Sequence, residues 1–263
     1  MEARAASPAR PDGGFSKSCR PASRWRRALL LGSALALCAA SLALVARQHR
    51  RQALPARRLV PLPIKLGYAA FLVVLVPVYW RAYGPSNFLW LSDLALFGTT
   101  AAVIVESPLL ASMAAVGVLP LELAWNLDFA TRGRLLGLAS YMFDPAKPLG
   151  LRALSLFHVA LPPTLLWLLA RLGYDRRAFL LQTLLVEGLL PLTYAVTEPR
   201  ANINWVFGPG PKQQHLLPPP VYLALEMGAI PLVAMWPTHR LLKRLFDAPS
   251  RASLPDRGSR HRR

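Results

Sequence analysis

Asn87-Phe-Leu-Trp-Leu-Ser92-Asp93-Leu-Ala-Leu-Phe97 opens a long apolar run that carries a hydroxyl and a carboxylate side by side. An ionisable residue inside a hydrocarbon-spanning segment is costly, and marks a functional site by default. The run reaches residue 105, which makes 89–105 just long enough to cross a bilayer. Five further segments read the same way: 64–80, 109–125, 153–172, 178–196 and 218–236. The apolar stretch 135–143 is too short to cross and fits a re-entrant or interfacial helix. The expected fold class is an all-α polytopic transmembrane bundle of six core spans plus one N-terminal hydrophobic segment, 28–46.

Composition agrees. Of 263 residues, 54% are hydrophobic and only 17% charged, outside the range of an ordinary soluble domain. The net charge of +18 is concentrated at the ends. Residues 1–63 carry 12 basic and 2 acidic side chains, and 240–263 carry 8 and 2, whereas 64–239 is nearly balanced at 11 and 9. Two basic tails around an apolar body imply contact with anionic headgroups and exclude nucleic acid as the expected partner. Residues 1–27 read as a disordered basic N-terminus, 47–63 as a basic linker, 64–239 as the transmembrane domain and 240–263 as a basic disordered tail.

Orientation follows from the positive-inside rule. With 47–58 in the cytoplasm, six spans put 171–177, with three arginines, and the tail from Arg240 on the same side. The segments 81–88, 126–152 and 197–217 are then external, and both core termini are cytoplasmic. The leading segment 28–46 fits a signal anchor, a cleaved segment or an extra span. Trp80, Trp90, Trp125 and Trp205 fall at the external interface, where amphipathic rings settle. Pro77, Pro162, Pro163, Pro191 and Pro231 imply kinked helices and space between them.

In this topology the polar residues converge on the external end. Ser92 and Asp93 lie about one turn below the surface, and His158 lies roughly 7 Å below it. Glu122, Asn126 and Asp128 end their helix there, Asp144 follows the short segment, and the Pro- and Gly-rich loop from Glu198 to Gly210 closes over them. Glu187 and Glu226 lie deeper, each with a tyrosine on its own face, Tyr194 and Tyr222. A nucleophile needs a base within reach and a third group to orient that base. Ser92, His158 and one of Asp93, Glu122 or Asp144 are therefore the candidate catalytic residues. Asn126, Asn202, Asn204 and Trp205 are the candidate substrate contacts. The competing reading is helix–helix hydrogen bonding without chemistry. No Gly-rich phosphate loop, His-Glu-x-x-His or Gly-x-Ser-x-Gly motif occurs. His158, Asp144 and His215 have no metal-site spacing, so neither metal nor cofactor is expected.

From Tyr79-Trp-Arg-Ala-Tyr-Gly-Pro-Ser-Asn-Phe-Leu-Trp through Phe157-His158 and Asn202-Ile-Asn-Trp-Val-Phe-Gly-Pro-Gly to Pro237-Thr-His239, the body resembles a group of bacterial membrane-associated proteins to which no activity is attached. More distantly it is similar to the YwaF-type integral membrane proteins. Their eukaryotic relatives include a transmembrane phospholipid acyltransferase and androgen-induced hydrolases of fatty-acid esters. The resemblance implies a bacterial inner-membrane location and membrane lipids as partners. It also implies Ser92 at the nucleophile position, His158 as its base and Asn202-Ile-Asn204 as a signature before the last helix. Serine stands where the bacterial relatives tend to carry cysteine. The function expected is a lipid-acyl hydrolase or acyltransferase; the alternative is a non-enzymatic transporter or partner-binding subunit using Glu187 and Glu226.

Overall fold

The computed structural model describes residues 59–210 and 212–246, and every regular element among them is helical. The expectations for 1–58 and 247–263, including the hydrophobic segment 28–46, lie outside the described residues.

Helix α1 (Leu62–Tyr83) begins behind Pro61, with a second proline in its first turn, where a missing N–H costs nothing. It ends at Gly84, whose φ of 79° suits a residue without a Cβ. One 3₁₀ turn (Pro85–Leu89) leads into α2 (Leu91–Val105). Helix α3 (Pro108–Ala130) starts with Pro108 and is capped by Ser107, whose Oγ accepts from the Leu110 N–H at 3.3 Å. Helices α4 (Leu149–Leu154) and α5 (Phe157–Leu172) form one apolar rod, followed by α6 (Ala178–Val196). Helix α7 (Pro219–Ala229) passes through a π-helical segment (Ile230–Met235) into α8 (Trp236–Phe246). Pro231 lies in that segment, and its missing N–H breaks the ordinary i→i−4 ladder there.

Five of these rods are long and apolar enough to cross a membrane: Leu62–Tyr83, Pro108–Ala130, Leu149–Leu172, Ala178–Val196 and Pro219–Phe246. Helix α2, expected as a full span, has 15 residues. It is about 22 Å long, against a hydrocarbon core of about 30 Å. Of the two residues by which it falls short of 89–105, Leu89 ends the 3₁₀ turn before it and Trp90 is its N-cap.

Helix α3 is the axis of the bundle. It packs against α2, α5, α6 and α8, and 67% of its membrane-length window is buried, against 11% for α1. Ala111, Ser112, Ala114, Ala115 and Gly117 explain this, because small side chains let helix backbones approach where lipid offers no hydrophobic drive. A Cβ at Gly117 would press on the Gln182 side chain of α6, which would have to move aside.

The stretch 135–143 is not a continuous helix, as was expected of it; only Ser140–Phe143 forms a 3₁₀ turn. The reason is Asp128. Its Oδ1 accepts from the N–H groups of Leu135, Leu136 and Gly137 at 3.0, 2.7 and 3.2 Å, and its Oδ2 from Ala139 at 2.7 Å. A carboxylate offering acceptors from one side wraps the chain around itself instead of letting it close i→i−4 bonds.

At the opposite end of the bundle, Glu106 ties the start of α1 to the α2–α3 corner. Its carboxylate takes the Lys65 Nζ at 2.6 Å and the N–H groups of Leu59 and Val60 at 3.0 and 3.3 Å. There too the Asp175 N–H donates to Ser112 Oγ at 2.9 Å, and the Tyr174 hydroxyl meets His239 Nδ1 at 2.6 Å.

Candidate functional site

A cavity of about 510 Å³ opens at the end of the bundle where α1 and α3 finish and α2 and α5 begin. Its wall gathers Ser92, Asp93, Glu122, His158, Asn202, Asn204, Trp205 and Glu226 from five separate parts of the chain. Of the residues expected at the external end, Ser92, Asp93, Glu122, His158, Asn202, Asn204 and Trp205 share this cavity, and Glu226, expected deeper, joins them. Asp144, Asn126 and Glu187 do not line it.

His158 is the most constrained side chain of the wall. Its Nδ1 lies 2.9 and 3.1 Å from the two carboxylate oxygens of Glu122. The imidazole stacks on Trp125 (centroids 4.6 Å apart) and on Phe157 (4.1 Å). The Glu122 side chain is 2% exposed and the His158 side chain 13%. Two rings and a carboxylate therefore hold the imidazole in one plane. Glu122 engages Nδ1, and among the described residues no hydrogen bond reaches Nε2. The α3–α5 register behind this pair is held by Asn126, whose Nδ2 donates to the carbonyls of Glu122 (2.7 Å) and His158 (2.8 Å). Asn126 is thus a positioning residue instead of the substrate contact expected of it, because its amide is spent on backbone.

Ser92 sits in the second turn position of α2, half-buried on the same wall. Among the described residues no hydrogen bond joins it to His158. No side chain caps this helix start. The first i→i−4 bond runs from the Leu94 N–H to the Trp90 carbonyl, so the N–H groups of Ser92 and Asp93 precede the helical ladder. Asp93 is 2% exposed and accepts from Asn87 Nδ2 at 3.0 Å.

The loop after α6 holds the start of α2 in place. Asn204 Nδ2 donates to the Leu89 carbonyl at 2.7 Å, and its Oδ1 accepts from the Leu91 N–H at 2.8 Å, in the manner of a paired strand. Both ends of the Asn204 amide are thus engaged with backbone, where a substrate contact was expected of it. Asn202 folds the loop itself: Nδ2 donates to the carbonyls of Gly208 and Gly210, both at 2.8 Å, and Oδ1 accepts from the Phe207 N–H at 2.9 Å. Asn202, Asn204 and Trp205 all have positive φ, at 38°, 54° and 64°. Asparagine tolerates this region; for tryptophan it is strained. A Cβ on Gly208 would run into the backbone of Lys212 and Gln214, so only glycine closes this turn.

Trp125, Phe157, Tyr79, Ser155 and Asn87 are functional-wall residues that sequence reasoning missed. Tyr79 and Ser155 share a hydrogen bond of 2.8 Å. Trp125, expected at the membrane interface, is 6% exposed and forms a wall of the cavity. The one available signal was adjacency: Phe157 precedes His158, and Trp125 lies one turn after Glu122 on the same helix face. Asp144 instead accepts from the Ala146 N–H at 2.9 Å and closes its own turn.

No protein-family model, curated protein or solved structure matches the chain. Among the described residues no three His, Cys, Asp or Glu side chains are grouped to hold a metal ion.

Proposed function

We propose that the protein is a lipid-acyl hydrolase or acyltransferase of the bacterial inner membrane, with its cavity at the external end of the bundle. The observation that carries this reading is the His158–Glu122 pair in one cavity with the Ser92 hydroxyl.

In this mechanism Ser92 Oγ attacks the ester carbonyl carbon and its proton passes to His158 Nε2. General-base hydrogen bonds of this kind tighten when substrate fills the site. The carbonyl oxygen becomes an oxyanion, and the N–H groups of Ser92 and Asp93 are donors at a helix N-terminus, where negative charge is favoured. Collapse breaks the ester C–O bond, and the leaving alkoxide takes the proton from His158. Water then attacks the acyl-Ser92 ester, or a second lipid hydroxyl does in the transferase case. His158 relays the proton again, and Ser92 is regenerated. Glu122 stabilises the imidazolium without itself being protonated, the role a carboxylate has in serine hydrolase triads. Asp93, with its carboxylate bound by Asn87, is further from this role than Glu122.

A fluorophosphonate probe tests the reading in isolated membranes. Wild type is expected to label; Ser92→Ala is expected to abolish labelling, and His158→Gln and Glu122→Gln to slow it by a factor of about 10² or more. Asp144→Asn is expected to label as wild type. Equal labelling of wild type and Ser92→Ala removes the mechanism.

A further inference from the structure

The acyl-transfer reading uses Glu122 and leaves two other buried carboxylates of the same wall unexplained. Glu226 is 8% exposed, lines the cavity beside Ile230 at the π-helical segment, and its Oε2 has no hydrogen-bond partner among the described residues. Asp93 is 2% exposed and its hydrogen bond comes from a neutral amide. Neither has an ion-pair partner among the described residues. The basic side chains of the wall are His158, which Glu122 already holds, and Lys147, which is exposed. Taking an ionised carboxylate out of water without a counter-charge is strongly unfavourable. The wall therefore holds two buried carboxyl groups with no cationic partner among the described residues.

Three aromatic rings of the same wall could face a bound cation. Trp90 and Trp205 are half-buried and stack on no other ring among the described residues, and Tyr83 meets Tyr79 in a T-shaped contact. Trp205 is held there by the strained backbone of its loop. Strain of that kind persists where the surrounding structure enforces it, and it concentrates at ligand clamps. Aromatic faces attract cations through the ring quadrupole, most strongly where water is excluded, and quaternary ammonium groups are recognised this way. A cavity of about 510 Å³ suits an organic cation with an attached chain.

We infer that the cavity binds an organic ammonium group, with Glu226 and Asp93 as its counter-charges and Trp90, Trp205 and Tyr83 as its aromatic walls. The binding statement rests on the cavity alone; that the ligand is a substrate, a lipid ester with an ammonium headgroup, rests on the acyl-transfer reading.

The test is tryptophan fluorescence of the purified full chain in detergent, titrated with choline and with 3,3-dimethylbutan-1-ol, its uncharged isostere. Wild type is expected to give a saturable change with choline and at least roughly tenfold weaker binding of the alcohol. Glu226→Gln is expected to weaken choline binding by roughly tenfold or more. Equal affinity for choline and the alcohol, no saturable response, or unchanged binding in Glu226→Gln overturns the inference. If Glu226→Gln fails to fold, the wild-type comparison of the two isosteres decides alone. Nanodiscs identify the source: weaker apparent choline binding in phosphatidylcholine than in phosphatidylglycerol supports an ammonium site filled by a lipid headgroup. Equal saturable binding in both supports a site for the free cation. Choline binding without fluorophosphonate labelling at Ser92 refutes hydrolysis and leaves the ammonium site standing; labelling without charge-selective binding does the reverse.

Discussion

Replacing Asp128 by alanine removes the acceptor around which residues 133–139 are wound, and its cost follows from where the four donors sit. Leu135 and Leu136 are 53% and 50% exposed, and Gly137 is half-buried, so these three N–H groups can turn to water once released. Ala139 is fully buried, packed with Trp125 and Met142, and its N–H cannot. A buried donor left unsatisfied costs about 1–3 kcal/mol, and each hydrogen bond to a charged acceptor contributes about 1.5–3 kcal/mol net. The three rehydrated donors recover most of their share, which leaves a loss of about 2–4 kcal/mol for Asp128→Ala. For a body of this size that corresponds to roughly 5–15 °C in melting temperature. Asp128→Asn keeps a carbonyl for the trio but points an NH₂ at the Ala139 N–H, and is expected to lose about half as much. The assay is thermal unfolding in detergent followed by tryptophan fluorescence, to which the nearby Trp125 contributes. Gly137, Leu138, Ser140 and Tyr141 line the cavity, so fluorophosphonate labelling should fall in parallel. An alanine variant that melts with wild type refutes the view that this carboxylate organises the loop.

Two further outcomes follow from other contacts. Asn204→Ala frees the Leu89 carbonyl and the Leu91 N–H, both buried; it should cost about 2 kcal/mol of stability and slow Ser92 labelling more than Asn202→Ala slows it, and the opposite ranking would show that the clamp on α2 is not what positions the serine. At the other end, burial pushes the Glu106 carboxyl up, but Lys65 and the N–H groups of Leu59 and Val60 outweigh it and hold it below its ordinary 4.5. Because the folded value is the lower one, this stabilisation is complete above about pH 4.5 and disappears as pH falls through the folded value. Melting temperature should drop across that acid window in wild type and more shallowly in Glu106→Gln, with parallel profiles counting against the clasp.

Much of the site was legible because membrane segments carry few polar residues, so each one stands out. Ser92, Asp93, Glu122 and His158 were visible as exceptions in apolar runs, and counting helix turns brought them to one end. Glu122 could not be separated from Asp93 or Asp144 as the partner of His158, because depth along a helix axis says nothing about rotation around it. The α3–α5 packing made that choice. Asn126 and Asn204 looked like ligand contacts because an amide in sequence does not reveal whether a backbone will occupy it.

The apolar run lengths by themselves determined a helical, membrane-type bundle, since a backbone in hydrocarbon has to satisfy its own hydrogen bonds within each segment. Charge at the chain's ends likewise followed from composition alone. Only the tertiary structure decided that 135–143 wraps around Asp128, that α2 stops short of a full span, and that Glu226 faces the cavity while Glu187 does not. Those outcomes depend on which side chain reaches which partner, across 7 residues between Asp128 and Leu135 and 115 between Leu89 and Asn204. Local periodicity carries no information on that scale; close packing around α3 does.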